Sequence, residues 1–253
     1  MYTYKRIIKC PNSIEIEVYH TIRKPGKNYG GRGVNRNLST EKQKIANKKR
    51  TTKKWERLID CNFNDKGWFC RFSAPFGIFD SEEKLMREFR NFSERIKRRC
   101  KKEKIQFKYL GFRECGKLGK NWHLHIVLSN EVMKIAKECW KFKNGGMNFT
   151  PLYEYGNFEK LADYIHKDVC GKKRIMASRN LKRPEISVCR ASKKEIKQLE
   201  QGEILEPPQG YYLSKDDFEY YINDITGASF YFKFKPLTKN HNLNKGIEEK
   251  AFL

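Results

Sequence analysis

The spacing of apolar and polar residues predicts alternating strands and helices from about residue 55 onwards. Residues 68–75 form a short apolar run closed by Pro75, which is typical of a buried strand. Asp80, with Glu83 three residues later, marks a helix start, and apolar residues then recur at helical spacing over about twenty residues. This part of the chain is therefore predicted to be a strand followed by a long helix.

Two strands, a helix, a strand and a last helix are predicted next. Residues 105–114 and 122–128 are apolar alternating runs, and the glycines and asparagine between them favour a hairpin. Helical spacing over 132–140 marks a second helix ended by Gly145-Gly146, and a third helix covers about 157–170 after a short extended stretch. This order predicts an α+β fold in which helices pack on an antiparallel sheet.

The two ends of the chain carry weaker patterns. Residues 1–54 are predicted to be a basic N-terminal arm that contacts DNA, with a glycine-rich middle that is disordered in isolation; a merely solvated tail is the alternative. Residues 191–253 are a C-terminal extension in which aromatic residues alternate, either as extra strands of the same domain or as a small second unit. The main domain is then expected to span 55–190.

Charge narrows the class of partner. The chain has 54 Lys+Arg against 30 Asp+Glu, a net charge of +24, and residues 1–54 supply half of that excess. Such a balance predicts a polyanionic partner, with nucleic acid first. No apolar run approaches the roughly 20 residues of a spanning helix, and neither a secretory nor a lipidation signal is recognisable, so we expect a cytoplasmic protein without a membrane partner. The eight cysteines form no CxxC pair, which predicts reduced packing residues.

A histidine pair is the first candidate for chemistry. His123 and His125 are two residues apart on a predicted strand, so both side chains leave the same face and could bind a metal ion. Ordinary histidines on a half-buried strand are the alternative, and two histidines alone would favour it. Glu114, at the end of the preceding strand, offers a third ligand, and two imidazoles with one carboxylate leave positions open for a phosphate oxygen. The strand register that this needs does not follow from the sequence.

A tyrosine on the last predicted helix is the second candidate. Tyr164 lies on the shoulder of that helix, about 130° from the centre of its apolar stripe. Lys160 and Lys167 are each about one turn away, and nearby cations would favour the phenolate and attract a phosphate. A plain tyrosine of an amphipathic helix is the alternative. Together, the metal ligands and the tyrosine describe a phosphoryl-transfer centre.

These motifs resemble those of the HUH endonucleases, in particular the single-tyrosine rolling-circle replication initiators of bacterial plasmids and phages. His123-Leu124-His125 is similar to the His-hydrophobe-His motif, Glu114 to the upstream acidic ligand, and Tyr164-Ile165-His166-Lys167 to the YxxK motif. The resemblance extends over residues 55–190. One departure is the first-motif strand, where the family usually has threonines and this chain has Arg71 and Ser73.

The resemblance implies a fold and a reaction. The fold would be a ferredoxin-like antiparallel sheet with flanking helices, and Glu114, His123 and His125 would hold Mn2+ or Mg2+. Tyr164 would attack the scissile phosphate, giving a 5′-phosphotyrosine and a free 3′-OH, while Lys167 would position the phosphate or offset its charge. The tyrosine follows the histidine pair, an order that initiators share with single-tyrosine transposases but not with relaxases.

The implied partners are a single-stranded or hairpin origin DNA, a host DNA polymerase and a host helicase, since the chain has no GxxxxGK[ST] loop. A single tyrosine leaves closure to a second subunit of a homo-oligomer, to reversal, or to a water activated by Asp163. Tyr231 and Lys233 could stack bases, although such tail aromatics are more often sheet core. A non-catalytic origin-binding protein or repressor is the rival; it explains the charge but not the combined motifs.

Overall fold

The computed structural model of the chain describes residues 1–22, 24, 40–63, 66–116, 121–152, 158–166, 175–223 and 226–237. The chain forms two compact units. The central unit is Ser39–Arg183, and the terminal unit combines Met1–Leu38 with Pro184–Leu253.

The described residues contain ten strands and five α-helices. The strands are β1 (Tyr2–Cys10), β2 (Ser13–Thr21), β3 (Trp68–Phe72), β4 (Leu110–Glu114), β5 (His123–Leu128), β6 (Met147–Pro151), β7 (Ile175–Ala177), β8 (Glu185–Arg190), β9 (Tyr211–Asn223) and β10 (Gly227–Pro236). The helices are α1 (Glu41–Asn62), α2 (Glu82–Lys102), α3 (Asn130–Cys139), α4 (Glu159–His166) and α5 (Lys193–Glu200).

The central unit is built on a five-stranded sheet in the order β6-β3-β5-β4-β7, and every neighbouring pair is antiparallel. Between β3 and α4 the elements follow the predicted order of strand, helix, strand, strand, helix, strand, helix. The predicted α+β class is confirmed, and the architecture is consistent with a ferredoxin-like fold of the HUH type.

The two faces of this sheet carry different side chains. One face packs against α2 and α3 in a single apolar cluster, to which β3 contributes Cys70 and Phe72 and β5 contributes Leu124, Ile126 and Leu128. Because successive side chains of a strand point to opposite faces, His123, His125 and Val127 must lie on the other face. Val127 there joins a second cluster with residues of α1 and α4. The predicted division of β5 into an apolar face and a histidine face is confirmed.

Local capping sets the helix starts. The side-chain oxygen of Ser81, one residue after the predicted start at Asp80, accepts a hydrogen bond from the Lys84 amide and so caps α2. The end predicted for the next helix is wrong: α3 stops at Cys139, before Gly145-Gly146. Gly145 instead passes so close to β3 that an added Cβ would lie 2.2 Å from the Ser73 carbonyl oxygen, so this glycine serves a close backbone approach.

The terminal unit contains a second antiparallel sheet, in the order β8-β1-β2-β10-β9. One of its faces packs in an apolar cluster that includes Val18 of β2, Phe230, Phe232 and Phe234 of β10, and Leu199 of α5. The alternating phenylalanines are therefore sheet core, as the alternation favoured.

This unit corrects the predicted domain boundaries. Residues 2–21, assigned to a basic arm, form the β1–β2 hairpin, and residues 41–54, assigned to the same arm, are helical and belong to the central unit. Strand β8 ends at the predicted limit of the main domain but pairs with β1. Pairing between strands more than 170 residues apart cannot be read from local periodicity. The glycine-rich middle of the predicted arm, except for Lys24, lies outside the described residues.

The burial of Tyr231 and Lys233 does not support a role in base stacking. Both side chains are buried, and the Tyr231 hydroxyl donates a hydrogen bond of 2.7 Å to the buried carboxylate of Glu15. Tyr231 is thus part of a paired interior group rather than an open stacking surface.

Two findings bear on the expected environment of the chain. Within the described ranges, no helix combines the length and the apolar character that crossing a membrane requires. The seven cysteines among the described residues are free, and Cys189 is exposed, so that it is not a packing residue. Cys170 lies outside the described residues.

Candidate metal and phosphoryl-transfer site

The register of β4 and β5 brings the three predicted metal ligands together. Glu114 is directly opposite His123 in the antiparallel pair, and Phe112 is opposite His125. Side chains of directly opposed residues lie on the same face of a sheet. The carboxylate therefore shares the face of the two imidazoles, an arrangement that a shift of one residue in the register would abolish.

The ligand atoms are close enough to share one ion. Glu114 Oε2 lies 3.5 Å from His123 Nε2 and 3.0 Å from His125 Nε2. One ligand atom from each of the three residues falls within 4.8 Å of the others. These distances suit a group that could hold a metal ion, and two imidazoles with a carboxylate are a donor set for several divalent metals.

The hydrogen bonding of the imidazoles fits metal binding. His125 is 5% exposed, yet neither of its ring nitrogens has a partner with hydrogen-bond geometry among the described residues, although Nε2 is close to Glu114. His123 Nδ1 lies 3.4 Å from the carbonyl oxygen of Asn121. Because a carbonyl can only accept, this contact places the proton on Nδ1 and leaves the lone pair of Nε2 directed towards Glu114.

Both imidazoles are held in the neutral form that coordinates metals. Burial, followed by the charges of His123 and Arg71, lowers the pKa of His125 to about 3. The pKa of His123 is also lowered, mainly by burial, against the opposing effect of the Asn121 carbonyl. Desolvation therefore outweighs the attraction of Glu114, and metal binding need not displace protons from these rings near neutral pH.

Two phenylalanines clamp His125, and no motif in the sequence singles them out. The Phe112 ring is stacked on the imidazole at 4.8 Å with an interplanar angle of 5°, and the Phe69 ring is stacked at 5.3 Å and 18°. Phe69 reaches this face from β3, a neighbour of β5. The alternation of β3 and β4 could have placed both rings on one face, but only with the pairing of the strands in hand.

Tyr164 lies at the same site. Its side chain is 40% exposed, and its hydroxyl donates a hydrogen bond of 3.4 Å to Glu114 Oε2. The tyrosine ring meets the edges of Phe69, Phe112 and His125 at 5.7–6.0 Å. The nucleophile predicted from the helix pattern is thus in contact with one of the three predicted metal ligands.

The electrostatics around Tyr164 differ from the prediction. The pKa of its phenol is raised, first by burial and then by the charge and hydrogen bond of Glu114, whereas Arg71 lowers it. The described surroundings therefore favour the neutral phenol rather than the phenolate. Lys167, predicted to flank the hydroxyl, and the side chain of Asp163 lie outside the described residues.

Arg71 is a functional candidate that the motif pattern marks only as a departure. It lies directly opposite His125 in the β3–β5 pair, so its side chain leaves the same sheet face. The residue is exposed, and no carboxylate among the described residues forms an ion pair with its guanidinium. Its charge acts on His123, His125 and Tyr164. The site therefore carries a cation that no described acid neutralises.

Positive charge is concentrated in the unit that holds this site. The central unit has 36 Lys+Arg against 17 Asp+Glu, whereas the terminal unit has 18 against 13. Within the central unit, the first ten residues of α1 are rich in basic residues, and those whose side chains are described are exposed. They include Lys44, Lys48, Lys49 and Arg50. A polyanion is thus the kind of substrate that the unit would attract.

Fold and site together define an α+β protein with a histidine, histidine and carboxylate cluster beside a tyrosine. Residues 78–172 match the family described as replication-associated protein ORF2. This segment is less than half of the chain, but it contains Glu114, His123, His125 and Tyr164. The match supports a role in replication initiation. No curated protein and no solved structure matches the chain.

Proposed function

We propose that the chain is a replication initiator that nicks one DNA strand at an origin, as a single-tyrosine HUH endonuclease would. The observation that carries the proposal is the position of Glu114. Its carboxylate accepts the hydrogen bond of Tyr164 and lies 3.0 Å from His125, so nucleophile and metal ligands form one centre. The match to replication-associated proteins supports the same function.

In this proposal Glu114, His123 and His125 hold a divalent ion, Mn2+ or Mg2+. When bound, such an ion supplies Lewis-acid chemistry to an oxygen of the scissile phosphate. The stacked rings of Phe69 and Phe112 fix the plane of His125, which reduces the freedom that ordering the ligand would otherwise cost.

Tyr164 is the proposed nucleophile. Its Oη forms a bond to phosphorus while the bond between phosphorus and the 3′-oxygen breaks, which leaves a 5′-phosphotyrosine and a free 3′-OH. The phenol loses its proton as it attacks, and the departing 3′-oxygen gains one. Glu114 Oε2 is the described acceptor that already contacts the phenol hydroxyl. Since the pKa of Tyr164 is raised, removal of this proton is a step that the site must assist.

Arg71 supplies the cation in this scheme. A guanidinium can bind two oxygens of one phosphate, and it is placed on the sheet face of His125. There it offsets the negative charge that develops on phosphorus. We propose the same kind of role for Lys167, three residues after Tyr164 in the sequence.

The proposed substrate is a single-stranded or hairpin origin, drawn to the net positive charge of the central unit. The 3′-OH would prime a host DNA polymerase, and a host helicase would separate the strands. Closure of the product would use a second subunit of a homo-oligomer, reversal by Tyr164, or water. A single-tyrosine transposase shares the same cleavage chemistry.

Covalent trapping tests this function. Purified protein with Mn2+ is incubated with labelled single strands that tile both strands of the DNA carrying its own gene, and adducts are resolved on a denaturing gel. Wild type should form an adduct on one strand, Tyr164→Phe none, and Tyr220→Phe, which alters an exposed tyrosine of the terminal unit, the wild-type amount. Arg71→Ala should slow adduct formation about 100-fold, with Arg71→Lys in between.

The outcomes separate the rivals. Wild type that binds origin strands but forms no adduct on any of them would identify a non-catalytic origin-binding protein or repressor. An equal adduct from Tyr164→Phe would move the nucleophile to another residue. A polymerase must also extend the released 3′ end, because attack with the opposite polarity would leave no primer.

A further inference from the structure

The sheet of the terminal unit carries a row of aromatic residues on one face. Register places Arg190 of β8, Tyr4 of β1, Tyr19 of β2, Ser229 of β10 and Tyr221 of β9 directly opposite one another across all five strands. Directly opposed residues share a face. We call these five residues, with the neighbouring Tyr2, the tyrosine row.

The rings of the row lie side by side. The centroids of Tyr2 and Tyr4 are 6.4 Å apart, and those of Tyr4 and Tyr19 are 6.5 Å apart. Tyr2 is two residues from Tyr4 on the same strand and so shares its face. Tyr221 is 41% exposed, and the other three tyrosines are partly exposed. The row is therefore accessible and not a closed core.

Cations accompany these rings. The guanidinium of Arg6 lies 5.1 Å from the centroid of the Tyr19 ring, and the Lys24 ammonium and the Arg190 guanidinium lie 5.4 Å and 5.9 Å from that of Tyr2. Such distances allow cation–π contacts. Arg190 is exposed and forms no ion pair with a carboxylate of the described residues.

The distribution of acids supports an anionic partner at this end of the sheet. The row itself contains no carboxylate. The acidic residues Glu17 and Glu219 belong to the adjacent row, in which Glu17 forms a salt bridge of 2.8 Å with Arg6. After β2 ends opposite Tyr2, the sequence from 22 to 40 contains five Lys+Arg and no Asp or Glu.

The opposite face of the same sheet is different. It carries the apolar cluster of Phe230, Phe232 and Phe234 with Leu199, so its aromatic rings are largely used in the core. The tyrosine row occupies the other face, where its rings lie beside exposed cations and belong to no apolar cluster of the described residues.

We propose that the tyrosine row binds single-stranded nucleic acid by stacking unpaired bases on Tyr2, Tyr4, Tyr19 and Tyr221, with Arg190 and Lys24 contacting phosphates. Aromatic rings on a sheet with basic neighbours are a general way to bind single strands with little sequence preference. The surface is separate from the proposed nicking residues and needs neither metal nor cleavage. Its link to the proposed function is that the strand would be DNA.

Fluorescence anisotropy tests this surface without the cleavage reaction. Binding of labelled oligothymidylate of about 16 nucleotides is measured in EDTA for wild type, Tyr4→Ala and Tyr19→Ala. Each variant should bind about 10-fold more weakly, because alanine removes a stacking partner. The Phe variants at both positions, which keep the ring, should stay within about twofold of wild type. Tyr220→Ala, which changes an exposed tyrosine on the opposite face, is the matched control and should also bind normally.

Two further ligands identify the partner. A duplex should bind all variants equally, since its bases are already stacked, and oligouridylate decides whether the surface prefers DNA or RNA. Equal losses on single strands and duplex, a loss shared by Tyr220→Ala, or no loss in Tyr4→Ala and Tyr19→Ala would each overturn the proposal. A protein that forms the Tyr164 adduct but shows no loss in these variants refutes the surface alone. Normal stacking behaviour without any adduct refutes nicking alone.

Discussion

The two sheets of this protein bury polar groups in different ways. In the terminal unit, the buried carboxylate of Glu15 accepts a hydrogen bond from the buried hydroxyl of Tyr231 at 2.7 Å. In the central unit, His125 is also buried, but neither ring nitrogen has a hydrogen-bond partner among the described residues. The first pair is satisfied within the fold, whereas the second group is positioned without being satisfied.

This difference distinguishes a structural polar group from a functional one. Buried polar groups of native proteins nearly always have partners, so an exception requires an explanation. Around His125 the explanation is local, because Glu114, His123 and Tyr164 converge on the same point. Around Glu15 no such explanation is needed. Substitutions that remove each group should therefore have opposite consequences for stability and function.

Replacement of His125 by leucine should give the largest effect on function and little effect on stability. The substitution removes one of three metal ligands, so Mn2+ affinity and adduct formation should each fall at least about 100-fold. No hydrogen bond is lost, and leucine fits an apolar clamp of two phenylalanines, so the melting temperature in EDTA should stay within about 3 °C of wild type. Isothermal titration with Mn2+ and calorimetry in EDTA measure both effects.

Phe72→Leu, a core change on the opposite face of the same sheet, is the control. It should lower the melting temperature but preserve the Mn2+ affinity of the protein that remains folded. If His125→Leu instead melts far below wild type in EDTA, the imidazole stabilises the fold itself, and the contrast between the two units fails.

Much of the central unit follows from local patterns, because each helix and strand there has its own periodicity. Alternation along β5 placed His123 and His125 on one face, and the helix pattern placed Tyr164 on a shoulder. The register that brings Glu114 onto that face depends on the geometry of the connection between β4 and β5, and alternation alone does not determine it.

Non-local pairing explains what the sequence did not reveal. Alternation predicts that Arg71 points away from the core residues Cys70 and Phe72, but its place beside His125 requires the pairing of β3 with β5. Likewise, the alternation from Ile14 to Val18 was a strand signal in the predicted arm, and the charge of the segment obscured it. The final sheet joins β1 to strands near the other end of the chain.

Replacement of Glu15 by leucine should give the reverse of His125→Leu. The change leaves the buried Tyr231 hydroxyl without its acceptor, which costs about 1–3 kcal/mol, whereas Mn2+ affinity should not change. The melting transition of the terminal unit, followed by calorimetry, should move down by several degrees. Glu15→Leu combined with Tyr231→Phe removes both partners and should recover part of the loss. A double variant less stable than Glu15→Leu would show that the hydrogen bond is not the relevant interaction.

Acidification should give the smallest effect and tests the charge state of His125. With a pKa of about 3 in the folded protein against 6.5 ordinarily, this imidazole takes up a proton below pH 6.5 only when the chain unfolds. Its contribution to stability is therefore complete above pH 6.5 and is lost as pH falls towards 3, at about 1.4 kcal/mol per pH unit. Between pH 6.5 and 5.5 in EDTA, wild type should lose about 1 kcal/mol more than His125→Leu. If the ring were protonated and paired with Glu114, its folded pKa would be raised, and wild type would gain on the variant over the same interval. The sign of this difference, measured by urea unfolding at the two pH values, decides between a neutral ligand and a buried ion pair.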